Sequence, residues 1–281
     1  MAHHQPRHGS RDRATLAAVA ALAATLLAAG SAIAAGTIAP PPDIAKAGSI
    51  VFCSDMTGPP LEFLDESTKP VGSDIDIGNE IAQRFGVKAE WKNLPFKGLV
   101  PALLAKQCDA VISQLFDKPA RRETIGLVDY MNSSEALLVQ AGNPKKIHGL
   151  EDLSGMKVAV ENGTTEQDLL QEQSDKFKAA GKKPIDIVVF PKDTDALQQL
   201  QIGQADVYAT TLETGTYYMT KAPGTFEVAG PPFHQILTGI GIRKDDTALQ
   251  DAVQKAVDAM KADGTLLKIL AKWHLEGDKM S

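Results

Sequence analysis

Several residue types are scarce in this sequence, and each shortage closes off a class of protein. Two of 281 residues are cysteine, two are tryptophan, and aromatic side chains make up 5%. No run of basic residues occurs, and 35 acidic against 29 basic side chains give a formal net charge of −6. An acidic chain of that kind argues against nucleic acid as a partner. His3, His4 and His8 fall in the first residues, while His148, His234 and His274 are scattered, so no metal site is suggested. No nucleophile–base pair and no cofactor loop stands out, so no cofactor is expected and catalysis is disfavoured. Trp91 and Trp273 read as packing residues.

Long apolar runs are also missing, save one. Thr15 to Ala29 is alanine-rich, preceded by Arg7, Arg11 and Arg13 and followed by small residues at Ala32 and Ala34. It is too short and small-sided for a membrane span, but it has the layout of a secretory signal peptide covering residues 1–34. No cysteine follows it closely, so a lipid anchor is not expected. Its removal takes away three arginines and one acid, Asp12, and leaves a more acidic, soluble, exported chain. An exported chain with two cysteines invites a disulfide. Cys53, however, lies near the end of one expected strand, and Cys108 just before the start of another. If those strands are parallel neighbours, an offset of about four residues separates the cysteines by roughly 13 Å, so two packed thiols are expected.

Beyond the proline-rich stretch at residues 36–48, strand and helix signals alternate. Ser49 to Ser54 reads as an apolar strand, leading to a loop punctuated by glycine and proline. Ile75, Ile77, Ile81, Ala82 and Phe85 have helical spacing, with Gly86 as the stop. Val87 to Trp91 is a strand, Lys97 to Lys106 a helix, and Ala110 to Ser113 a strand. After a polar break at Met131 to Ser134 the pattern restarts. Strands are expected at 137–140, 157–160, 185–190 and 206–209, with helices from Gly163 to about Gly181 and at 195–202. One more strand, Thr238 to Arg243, and the amphipathic helices 247–262 and 264–273 complete the chain. Such alternation predicts parallel sheets covered by helices, in two α/β units. Ligands of open α/β sheets sit at the C-terminal ends of strands. Those ends carry Asp55 and Ser113 in the first unit, and Glu161-Asn-Gly-Thr-Thr and Thr210-Thr-Leu-Glu in the second.

At these residues the chain resembles the periplasmic solute-binding proteins that deliver polar amino acids to ABC importers. The resemblance rests on Asp55-x-x-x-Pro-Pro-x-Glu-Phe63, on Val71-Gly-Ser-Asp-Ile-Asp-Ile77 and on Leu99-Val-Pro-Ala-Leu-Leu-Ala-Lys-Gln-Cys-Asp109. Arg121 with Asp129-Tyr130, Asp152-Leu-Ser-Gly, Gly163-Thr-Thr, Gly203-Gln-Ala-Asp206, Ala262-Asp-Gly-Thr265 and Trp273 continue it. It implies a two-lobed periplasmic binding protein of type II, an α/β fold in which each lobe is a mostly parallel sheet covered by helices. Two hinge strands would join lobe 1, residues 36–134 plus 236–281, to lobe 2, residues 135–235. The implied partners are a small-molecule amino acid or derivative and the membrane permease of an ABC importer. The protein would be a monomer that closes by hinge motion on its ligand.

Carried over by position, Arg121 would clamp the ligand's α-carboxylate. Thr165, with Gly163 and Thr164, would meet the same group from a helix start. Asp55, Phe96, Ser113 and Gln114 match pocket positions. Three departures stand out. Gly58 replaces an aromatic wall, Phe116 stands where a small hydroxyl residue is common, and Thr211 replaces the aspartate that pairs with the α-amino group. A threonine cannot offset a buried ammonium. Either Glu213 or Asp55 supplies the charge, or the ligand is opine-like or N-substituted. Read without the family, Arg121 and Arg122 are solvated helix-start charges, Asp55 serves equally as a turn cap or a partner for a cation, and Glu62 and Glu161 are turn or surface residues. Polarity at Asp55, Gln114 and Glu161 leans toward a cationic or amide side chain. The alternative function is an enzyme on the same scaffold, a dehydratase using a cleft carboxylate.

Overall fold

The computed structural model describes Met1 and residues 38–280; the expected signal peptide, but for Met1, lies outside the described residues. After helix α1 (Pro42–Ala47), strand β1 (Ser49–Ser54) leads into β2 (Thr57–Gly58), β3 (Glu62–Leu64) and β4 (Pro70–Val71), which form a small antiparallel sheet of their own. Helix α2 (Ser73–Phe85), β5 (Lys88–Asn93), α3 (Leu99–Leu104), β6 (Ala110–Phe116) and α4 (Pro119–Thr124) follow, then β7 (Ile125–Gln140), a strand of 16 residues. Next come β8 (Lys157–Glu161), α5 (Thr165–Ala179), β9 (Asp186–Phe190), α6 (Asp193–Gln201), β10 (Val207–Thr211), α7 (Leu212–Lys221) and β11 (Phe226–Val228). Strand β12 (Phe233–Arg243) and helices α8 (Thr247–Ala262) and α9 (Thr265–Lys272) complete the order.

Local sequence accounts for the element ends. Gly86 takes φ 69° at the end of α2, where its N–H returns to Ala82 and Gln83 carbonyls. Thr164, Thr211 and Asp246 cap α5, α7 and α8 by accepting an N–H three residues on. The main sheet runs β5-β1-β6-β12-β7-β10-β8-β9. Its outer blocks, β5-β1-β6 and β10-β8-β9, are parallel, and the central β12 and β7 are antiparallel to each other and to their outer neighbours. On one side of the first block Ile81, Val253 and Leu270 of α2, α8 and α9 are buried; on the other, Leu99 and Leu103 of α3. The second block is covered by Leu170 and Phe177 of α5 and by Ala196 and Leu200 of α6. Each such large side chain contributes about 1.5–3 kcal/mol when fully buried.

Three local expectations are corrected. The polar stretch Met131 to Ser134 is no break but the middle of β7, and β12 starts at Phe233, five residues before the expected Thr238. There both strands pass between two cores: burial still alternates from Met131 to Glu135, but the inward positions hold Ser133 and Glu135, so the apolar signal of a strand is lost while the ladder continues through register shifts. The cysteines, expected as packed thiols, are bonded: Cys53 and Cys108 form a disulfide with Cα atoms 5.8 Å apart. Register places Val111, three residues beyond Cys108, beside Cys53. An extended chain would put Cys108 roughly 10 Å away. Instead it enters β6 through a turn at Lys106, φ 57°, which lays Cys108 over the sheet beside Cys53.

Candidate functional site

The C-terminal ends of the parallel strands meet at one cleft of about 530 Å³, mouth included. Asp55, Phe96, Ser113, Gln114, Phe116, Arg121, Thr164, Thr165 and Thr211 all line it. Gly163 does not. Its N–H is donated to Gln167 Oε1 at 2.7 Å, and it borders a shallower depression beside Phe96 and Lys97. The φ of 86° at Gly163, where an added Cβ would meet Lys97 at 3.1 Å, explains the glycine without any ligand.

Arg121 lies in α4, just past β6. Its Nη1 donates to the Phe116 carbonyl at 2.6 Å, and its guanidinium stands 5.9 Å from the centre of the Phe96 ring. Among the described residues no carboxylate forms an ion pair with it, and burial pulls its pKa down. Arg122 faces outward instead, bound to Asp117 and Asp129. Across the cleft, Thr164 caps α5, accepting the Gln167 N–H at 3.3 Å, and Thr165 opens the helix with a positive dipole end. An open guanidinium fork facing a helix start suits a carboxylate.

The acids are more numerous than position alone suggested. Asp55 accepts the Thr57 hydroxyl at 2.6 Å and the Phe96 N–H at 2.7 Å, so it organises its loop while lining the cleft. Glu62 and Glu161, expected as turn or surface residues, are buried at the cleft, and Asp193 and Glu166 join them. Three buried oxygens there, Glu62 Oε2, Glu161 Oε1 and Asp193 Oδ2, have no hydrogen-bond partner among the described residues. Burial, then the nearby carboxylates of Asp193 and Asp55, pushes Glu161 up, so it is protonated at neutral pH. Burial likewise raises Asp193 to about 7. Asp193 was absent from the sequence-based candidates, although the strand-end rule reaches it: β9 stops at Phe190, three residues earlier. Glu166 follows the Gly163-Thr-Thr helix start directly, and its carboxylate is turned back on that start, near the Thr164 hydroxyl.

Thr211 cannot act as a carboxylate. Its Oγ caps α7 by accepting the Thr214 N–H at 3.2 Å. Behind it, buried Glu213 accepts the Ser134 N–H at 3.3 Å and a Gln114 Nε2 hydrogen at 3.2 Å. Phe96 and Phe116 supply apolar wall in the cleft that Gly58 also lines.

Residues 50–276 match the family described as bacterial extracellular solute-binding proteins, family 3. The lysine/arginine/ornithine-binding periplasmic protein of Escherichia coli K12 is 30% identical over 259 residues, 90% of this chain and 95% of its own. An ancestral arginine-binding protein, solved with arginine bound, is 34% identical with a TM-score of 0.74, covering 80% of this chain and 98% of its own. The ancestral amino acid-binding protein AncCDT-1, a precursor of cyclohexadienyl dehydratase, is 31% identical with a TM-score of 0.75, covering 82% of this chain and 97% of its own. The fold is that of these two-lobed amino acid-binding proteins. With the family match spanning most of its length, this chain belongs to the bacterial extracellular solute-binding proteins, family 3.

Proposed function

We propose that this protein is the periplasmic binding component of an ABC importer and captures an α-amino acid with a cationic side chain, without catalysing a reaction. It acts as a monomer that delivers its ligand to a membrane permease. Lobe 1, residues 36–134 plus 236–281, closes on lobe 2, residues 135–235, once residues 1–34 are removed. The observation that carries this reading is the charge layout of the cleft. Arg121 offers an open fork, while Glu161 and Asp193 hold buried oxygens that lack hydrogen-bond partners among the described residues. Carboxylate at the one and cation at the other satisfy both. The Cys53–Cys108 bond suits an oxidising compartment.

A thermal-shift screen of amino acids, opines and diamines tests it. L-arginine or L-lysine at a hundred times its Kd is expected to stabilise the protein by about 2.7 kcal/mol. The sign of the pH effect follows from the acids. Burial and the neighbouring carboxylates raise both Glu161 and Asp193, the latter to about 7. An incoming cation lowers both pKa values and expels protons, so affinity rises with pH between about 6 and 8. Stabilisation only by compounds without a carboxylate, or affinity that falls with pH, rules the reading out.

The protonated Glu161 also favours a second reading, a dehydratase in which it protonates a leaving group, on a scaffold like that of AncCDT-1. Product absorbance from prephenate or arogenate separates the two: turnover overturns the binding-only reading.

A further inference from the structure

We infer that Gln114, held in place by Glu213, presents its side-chain carbonyl to the ligand's α-ammonium group. This rests on the reading of the ligand as an α-amino acid clamped at Arg121. The ammonium is then one carbon from the carboxylate and meets whatever acceptors border that part of the cleft. Thr211 Oγ already accepts the Thr214 N–H. Ser113 Oγ accepts the Asp55 N–H at 2.9 Å and donates to Glu62 at 3.1 Å.

Gln114 is built differently. Its backbone sits at φ 42°, a left-handed conformation that costs a non-glycine residue energy, and its N–H is tied to Asp74 at 2.9 Å. Its Nε2 donates to Ser133 Oγ at 2.9 Å and to Glu213 Oε2 at 3.2 Å. Both amide hydrogens are thereby spent, which leaves Oε1 as the side-chain atom of this cleft-lining residue free to accept. Burial raises Glu213 to about 7; above that pH it is ionised and only accepts, and there it fixes which end of the amide faces inward. Glu213 is 5% exposed and does not itself line the cleft. It is a positioning residue, and once ionised, as at pH 8, where the test below is run, its negative charge strengthens the carbonyl as an acceptor.

The test compares two ligand pairs by calorimetry: L-arginine with 5-guanidinopentanoate, and L-lysine with 6-aminohexanoate. The second member of each lacks only the α-amino group. The wild-type protein is expected to prefer the α-amino member of at least one pair by about tenfold or more, the worth of a hydrogen bond to a charged group. Glu213→Gln, which frees the Gln114 amide to turn over, is expected to abolish that preference while leaving the Kd of the deamino compound unchanged. A merely structural role for Glu213 would weaken both compounds alike. Should that variant fold poorly, Gln114→Gly suits the positive φ and removes the carbonyl, with the same expected loss of preference. Equal binding within both pairs, or a preference that survives the substitutions, overturns the inference alone. No binding by any of the four compounds overturns the functional reading and this inference together.

Discussion

Replacing Arg121 with alanine is expected to weaken binding of the amino-acid ligand by roughly 3 kcal/mol or more, about a hundredfold. Arg121 is anchored from behind by the Phe116 carbonyl and lies beside the Phe96 ring, so its remaining N–H groups meet a ligand without first losing rotamer freedom. Without it, the ligand's carboxylate is desolvated against neutral partners, with Glu166 close by as a like charge. Arg122→Ala is the control. That side chain keeps 46% of its exposure and spends its charge on Asp117 and Asp129, so its loss is expected to change Kd by less than about threefold. Calorimetry on both variants decides the matter. Equal losses at the two positions would sink the clamp.

Loss of the Cys53–Cys108 bond should be felt in stability more than in binding. The bond closes a loop of 55 residues, for which the chain-entropy relation gives about 4 kcal/mol at 25 °C. That is a large share of the 5–15 kcal/mol typical of a folded domain. The cysteines are buried beside Leu99, Leu103 and Val111, so alanine at both positions adds a small cavity cost to the lost constraint. Urea unfolding of the double alanine variant, against the oxidised parent, is expected to show that loss. A difference below about 1 kcal/mol would mean that the unfolded chain is already compact around this loop.

Much of the fold was legible because local signals agreed with tertiary ones. Helix α2 shows its buried face as Ile75, Ile77, Ile81 and Ala82 and its end as Gly86. Helix α8 has the same bounds in sequence and structure, since its apolar stripe is long and Asp246 caps it. Illegibility came from three physical sources. Strands β7 and β12 lose their apolar signal where they leave one core before entering the next, as at Ser133 and Glu135, which are buried but polar. The tiny β2–β3–β4 sheet has too few residues for a period, so its segment reads as loop. The disulfide depends on a turn at Lys106 that no spacing rule reports. At the cleft, the strand-end rule led to Asp55, Ser113, Glu161 and Thr211, while Arg121 was separated from Arg122 only by the family resemblance. Burial of Glu62 and Glu161 was invisible, because a carboxylate at the end of a short strand looks the same in sequence whether it faces water or a covered cleft.

The central pair of strands has a thermodynamic consequence. Strand β7 contributes Val128, Tyr130 and Met131 to one core and Leu137 and Val139 to the other. Strand β12 gives Ile240 and Ile242 to the first and packs Phe233 against the second. Each core is thus built on one half of strands whose other half belongs to the second core. Two cores that share their central strands are therefore expected to unfold in a single cooperative transition, seen as one calorimetric peak whose van't Hoff and measured enthalpies agree. Two resolved peaks would mean that the ladder between β7 and β12 parts before either core does.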